Sequence, residues 1–346
     1  MIWNPGDKLN RNQYEIIQEL GRGRFAITYL AQKDGQEVVI KTLNPDELNQ
    51  LSNEDRDHLE SGFSNESLKL QKCQHPNIVR VIETFMQGGL LCMVMEYIQG
   101  NNLANIVQSR RFLPEQEALN YIQQIGQALI EVHRQGLLHR DVKPENIVVR
   151  AGTHKAILID FDLARTVDNP LTSRGARVHG FTPIELYSNS RRQQARRGKW
   201  TDVYSLAATL YVLLTGKQPV SSIDRQDQNQ RLIPPQELNP EISDRTNQAI
   251  LHAMELEPDK RPQTVEEWLK ELGLIKSAPI LPQLPFRQPL WAWILEVMGV
   301  LALLAALISG FKDGWDLWKE LFPDKPIIPT KVTKPNLPSP SPLENR

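Results

Sequence analysis

Eight consecutive residues constrain this chain more than any bulk property: His139-Arg140-Asp141-Val142-Lys143-Pro144-Glu145-Asn146. After the apolar run Ile157-Leu158-Ile159 comes Asp160-Phe161-Asp162. A carboxylate, a lysine two positions on, an amide and then a second carboxylate are the parts of a phosphoryl-transfer centre. That chemistry needs a group to orient the attacking hydroxyl, a cation beside the moving phosphate, and hard oxygen ligands for a divalent ion.

These residues resemble the catalytic and metal-binding loops of the protein kinase superfamily, and the resemblance extends over roughly residues 14 to 272. It implies an α+β, two-lobed fold with a small antiparallel β lobe and a large helical lobe. It further implies that Asp141 orients the substrate hydroxyl, Lys143 steadies the transferring phosphate, and Asn146 and Asp160 hold magnesium, with manganese as a substitute. Lys143 at its position favours serine or threonine substrates, so protein hydroxyls and ATP are the expected partners.

The 346 residues exceed what one lobe needs and suit a two-lobed unit with an appendage. A formal net charge of −1 supplies no global attraction for nucleic acid, and none is expected as a partner. Two cysteines, Cys73 and Cys92, argue against a disulfide framework and fit a reducing compartment. Met1 to Arg11 lacks the basic start and apolar run of a secretory signal.

Short β-rich runs at 14–20, 27–32 and 37–43, then 79–85 and 90–97, predict a five-stranded sheet. Between them, 46–72 reads as charged and helical, interrupted near Ser61-Gly62. Helices dominate beyond Asn102. The segment 203–214 is apolar nearly all round, as a helix buried in a large core is, and the resemblance makes Asp202 the residue that caps it and grips the catalytic loop.

The turn Gly21-Arg22-Gly23-Arg24-Phe25-Ala26 lies between two strands, where backbone N–H groups can cover phosphates. Ala26 stands where the family has a third glycine, which restricts the backbone if that position needs positive φ, and Thr28 stands where it usually has valine. By resemblance, Val39 and Val148 border the adenine, Lys41 binds phosphate and Glu66 is its partner. Among Glu54, Glu60 and Glu66, only Glu66 has the family's spacing to Val79. Met95, Glu96 and Ile98 fall at the hinge, and Asn102 at a ribose-contacting position. An ordinary strand end followed by a Gly-Asn turn explains the hinge letters equally well.

The segment 160–185 has the length of an activation segment, with Glu185 expected in a buried pair with Arg261. Asp162 replaces a glycine, Val178 a threonine, and Pro183-Ile184-Glu185 stands for Ala-Pro-Glu. Thr172 and Ser173 are candidate phosphosites opposite Arg140, with plain loop hydroxyls as the alternative. The basic run Arg191, Arg192, Arg196, Arg197 and Lys199 reads as a solvated loop, with acidic substrate or anionic lipid as its functional rivals.

Residues 273–289 form a proline-rich linker, and 290–311 an apolar run of 22 residues whose one charge is Glu296. As a helix it spans about 33 Å, enough for a hydrocarbon core. Its eleven Leu, Ile, Val and Phe residues offset the roughly 2.5–3.5 kcal/mol cost of the carboxylate. Trp291, Trp293, Trp315 and Trp318 flank it as interfacial aromatics, and Ala302, Ala306 and Gly310 make a small-residue stripe suited to a homodimer. An amphipathic helix docked on the catalytic part is the soluble alternative. Because ATP is cytoplasmic, the expectation is a single-pass membrane protein with a cytoplasmic catalytic domain and a short proline-rich tail at 312–346.

The arrangement resembles bacterial eukaryotic-like (Hanks-type) serine/threonine kinases with a C-terminal anchor. Two rivals remain at this stage: a pseudokinase scaffold that binds nucleotide without efficient transfer, and a small-molecule phosphotransferase. Glu185, Asp202 and Arg261, which belong to a peptide-recognising lobe, speak against the second.

Overall fold

Two-residue turns set the first sheet. Asp34-Gly35 and Gly88-Gly89 all take positive φ, between 50° and 80°, the conformation that lets a tight hairpin follow the natural strand twist. Lys33 therefore pairs with Gln36 and Gln87 with Leu90. The computed structural model describes residues 3–161, 180–187 and 197–276. In it, β1 (Lys8–Leu9), β2 (Tyr14–Arg22), β3 (Ala26–Lys33), β4 (Gln36–Leu43), β5 (Val81–Gln87) and β6 (Leu90–Glu96) form one antiparallel sheet in the order β1-β2-β3-β4-β6-β5.

The sequence predicts five strands in this sheet, and among the described residues it has six. The additional β1 belongs to an N-terminal segment that lies over the sheet, where Trp3 packs on Tyr29 with ring centroids 5.2 Å apart. Trp3, Leu9, Tyr14, Ile16, Tyr29, Val38 and Ile40 share one buried cluster. Since strand side chains alternate faces, burying Val38 and Ile40 there turns Val39 and Lys41 to the opposite face of β4. Lys41 lies beside Thr28 of β3 and Met93 of β6 in register.

Helix α1 (Pro45–Leu48) is capped by the Asn44 side chain, and α2 (Asn53–Lys72) by Ser52. The expected interruption at Ser61-Gly62 does not occur, and α2 runs 20 residues unbroken. A glycine costs a helix interior about 1 kcal/mol. Leu59, Phe63 and Leu70 are almost wholly buried, and each such side chain contributes roughly 1.5–3 kcal/mol. Tertiary burial outweighs the local preference.

The second lobe is built from α3 (Leu103–Arg110), α4 (Glu115–Arg134), α5 (Lys199–Thr215), α6 (Ser222–Asp227), α7 (Pro235–Leu238), α8 (Asp244–Ala253) and α9 (Val265–Glu271). Every residue from Thr201 to Thr215 of α5 is buried, which makes it the axis around which α4, α8 and α9 pack. A three-stranded sheet, β7 (Gly100–Asn102), β8 (Ile147–Arg150) and β9 (Ala156–Leu158), holds the far end of the loop that runs from α4 to β8. Among the described residues no helix is long and apolar enough to cross a membrane. The run 290–311 expected to do so lies outside them, as do the linker beyond residue 276 and the tail.

Candidate active site

Asp202 does not cap α5, whose N-cap is Gly198; fully buried near the start of that helix, it instead anchors the loop at residues 139–140. Its carboxylate accepts the backbone N–H groups of His139 at 2.9 Å and Arg140 at 2.7 Å, and the His133 ring lies 2.7 Å away. Burial alone would raise its pKa, but the His133 hydrogen bond and the facing dipoles outweigh this and hold it below the usual carboxylate range. Arg140 takes φ 64° and Asp160 φ 53°, left-handed conformations that cost roughly 1–3 kcal/mol each away from glycine. The grip of Asp202 on the Arg140 N–H is one of the contacts that over-determine the first.

Three candidate site residues, Asp141, Lys143 and Asn146, follow within six positions. Lys143 Nζ donates to Asp141 Oδ2 at 2.8 Å, and Asn146 Nδ2 donates to Asp141 O at 2.8 Å and to Oδ2 at 3.0 Å. A short turn of 3-10 helix, Pro144–Asn146, swings Asn146 back toward Asp141. With its nitrogen committed, the Asn146 amide has its oxygen left to offer.

The second carboxylate arrives from β9. Lys41 Nζ donates to Asp160 Oδ1 at 2.5 Å and to the Phe161 carbonyl at 2.7 Å. Desolvation pushes the Asp160 carboxyl up, yet the Lys41 charge and its hydrogen bond pull it further down, so it is held below its ordinary value. The lysine ammonium is buried, whereas half of the Asp160 side chain stays open. Phe161 packs beneath the loop with its ring 4.6 Å from that of His139. The His139 Nδ1 accepts the Asp141 N–H at 3.3 Å and Nε2 lies 3.3 Å from the Ile159 carbonyl, so the neutral ring carries its proton on Nε2. Burial lowers its pKa accordingly.

Between the lobes lies a cleft of about 380 Å³. Gly21, Thr28 and Val39 line it from the first sheet, Met95, Glu96 and Ile98 from the hinge, and Asn102, Asn146, Val148 and Asp160 from the second lobe. Gly23 and Ala26 do not line it; the Gly23 N–H donates to the Ala26 carbonyl at 2.8 Å and closes the hairpin. Ala26 is not among the positive-φ residues, so its methyl group introduces no backbone strain there. Asn102 has a role the sequence reading missed, because its side chain caps α3 by accepting the Asn105 N–H at 2.8 Å. Its place one residue before a helical run is the signal for such a cap. Leu20, Val79, Glu145 and Ile159 also line the cleft and were not picked out from the sequence, although Leu20 and Ile159 directly precede recognised motifs. Glu66 lies on α2.

Away from the cleft, Glu185 and Arg261 join at 2.8 and 3.1 Å with both side chains buried. The Thr201 hydroxyl donates to Glu185 at 3.0 Å, and Arg261 also donates to the Glu255 and Leu256 carbonyls. Neither cysteine is poised for chemistry, since burial pushes Cys73 up to about 11 and Cys92 up to about 12.

The family model for the protein kinase domain matches residues 14–272. This chain belongs to the protein kinase family. Similar proteins include a probable serine/threonine-protein kinase of Clostridium perfringens, 30% identical over 79% of this kinase chain and 39% of that protein. The serine/threonine-protein kinase PknB of Mycobacterium leprae is 32% identical over 77% of this chain and 43% of its own length. The kinase chain therefore spans under half the length of these two curated relatives. The solved structure of PpkA-294 in its apo form is similar with a TM-score of 0.61 at 26% identity, covering 78% of this chain and 99% of that one. In this kinase the departures Asp162 and Val178, the candidate phosphosites Thr172 and Ser173, and the basic residues 191–196 lie outside the described residues. Arg197 donates from Nε to the Glu185 carbonyl at 3.3 Å.

Proposed function

We propose that this chain is an ATP-dependent serine/threonine protein kinase. The observation that carries the reading is that Asp141 and Lys143 are hydrogen-bonded into one cluster with Asn146, and Asn146 and Asp160 line a cleft also bordered by Met95, Glu96 and Ile98. Asp141 orients the substrate hydroxyl and takes its proton, and Lys143, already on the Asp141 carboxylate, places a positive charge beside the attacked phosphate. Lys41 holds Asp160 ionised and in place, with Glu66 as its proposed helix partner. Gly21 borders the phosphates from a hairpin that Gly23 and Ala26 close, while Thr28, Val39, Met95, Val148 and the Glu96 and Ile98 backbone enclose the base.

The donor set fits a hard divalent cation. The Asn146 amide oxygen and the half-open, ionised Asp160 carboxylate are oxygen ligands of the kind magnesium takes, and a bound ion would neutralise charge developing on the phosphates. Transfer of labelled phosphate from Mg-ATP to a generic basic protein substrate tests the reading. Activity in the parent chain that disappears in Asp141→Asn supports it. Nucleotide binding without transfer in the parent leaves the pseudokinase scaffold instead.

The finer organisation is proposed with it: a catalytic domain at 14–272, a linker at 273–289, a single membrane helix at 290–311 and a tail at 312–346. The length and apolarity of that run support the anchor, and the cytoplasmic location of ATP supports a cytoplasmic catalytic domain serving in signalling. The stripe Ala302, Ala306, Gly310 supports a homodimer through that helix.

A further inference from the structure

Glu96 ends β6 where the chain leaves the first lobe, and its side chain does not hang into solvent. Oε1 accepts the Arg80 N–H at 3.0 Å, while the Glu96 N–H donates to the Arg80 carbonyl at 3.0 Å. Oε2 accepts from Arg150 Nη2 at 3.1 Å. Arg150 ends β8 of the second lobe, opposite Gly100 in register, and the neighbouring Ala151 N–H donates to the Gln99 carbonyl at 2.8 Å. One carboxylate thus ties together the linker before β5, the hinge itself and a strand of the other lobe. The linker is in turn held on β9, because Val79 N–H donates to Leu158 O and Leu158 N–H to Asn77 O.

From this geometry we propose that the Glu96–Arg150 pair is an interlobe latch that positions the hinge for nucleotide, with Arg150 a positioning residue outside the cleft. The inference rests on the nucleotide reading of the cleft given above. Arg150 does not line the cleft, whereas Glu96 and Val148, two residues before Arg150, do. Arg150 can therefore act on the hinge only through the placement of Glu96 and the backbone. Its partly exposed side chains limit the effect to a factor of about two to five.

Arg150→Met keeps the long stem and removes the charge. The expected result is a KM for ATP raised about two- to fivefold, kcat unchanged, and faster exchange without nucleotide at the hydrogen-bonded amides of Glu96 and Ala151. Arg150→Lys restores both the KM and the exchange rate. Parental KM and exchange in Arg150→Met overturn the latch, and so does a fall of kcat and melting temperature in step with the KM change, which would mark a merely structural contact. A parent chain that takes up no Mg-ATP sinks the nucleotide reading instead, while the exchange comparison still reads the latch by itself.

Discussion

Glu185 and Arg261, 76 residues apart, meet as a bidentate ion pair with neither side chain exposed. Removing one partner leaves a buried charge without its counter-ion, which costs about 3–5 kcal/mol, whereas replacing both with apolar residues is often close to neutral. Arg261→Met is therefore expected to lose about that much in chemical denaturation, and Glu185→Leu combined with Arg261→Met to recover most of it. Equal losses in the single and double variants would contradict the pairing.

Stability is expected to fall as pH drops from about 7 to 5, in part through His139. Its folded pKa is lowered by burial, and the unfolded ring titrates near 6.5. The sign follows from linkage: the unfolded state takes up the proton first, so the contribution is fully present above about 6.5 and is lost as pH falls toward the folded value. Asp202, also depressed, adds a separate loss only below about pH 4, the unfolded carboxylate value. A melting series against pH should flatten between 7 and 5 in His139→Phe relative to the parent.

Lys41→Met removes the cation that keeps Asp160 ionised and placed. Loss of one preorganised electrostatic group typically lowers turnover about 10²- to 10³-fold, and that is the expected drop in kcat for labelled phosphate transfer. Lys41→Arg is not expected to rescue it, since a planar guanidinium presents its donors differently from an ammonium point charge.

Trp3 lies outside the stretch matched by the family model yet is buried on the sheet. Trp3→Ala should cost about 3–5 kcal/mol. Among the described residues its buried indole N–H has no hydrogen-bond partner, a condition that itself costs roughly 1–3 kcal/mol. Trp3→Phe should therefore be far milder than Trp3→Ala in the same denaturation assay, and parity between the two would refute the packing argument.

If 290–311 is a membrane anchor, the whole chain should float with phospholipid vesicles in a density gradient and resist extraction by high salt. A variant ending at Lys276 should stay at the bottom. Flotation of the shortened chain would shift the membrane attachment to another part of the protein.

The sequence by itself located the candidate site, because Asp141, Lys143 and Asn146 come from one short contiguous loop and Asp160 lies two residues beyond the strand β9. Turn residues such as Asp34-Gly35 act within a four-residue window and made most of the first sheet legible for the same reason. Only the tertiary structure decided that β1 and Trp3 cover the sheet and turn Lys41 inward, that α2 runs through Gly62, and that Arg140 adopts its left-handed backbone under Asp202. It alone joined Glu96 to Arg150 and assigned Asn102 to a helix cap. These outcomes depend on burial and on partners distant in sequence, whose free energies outweigh the local preferences that a linear reading can see.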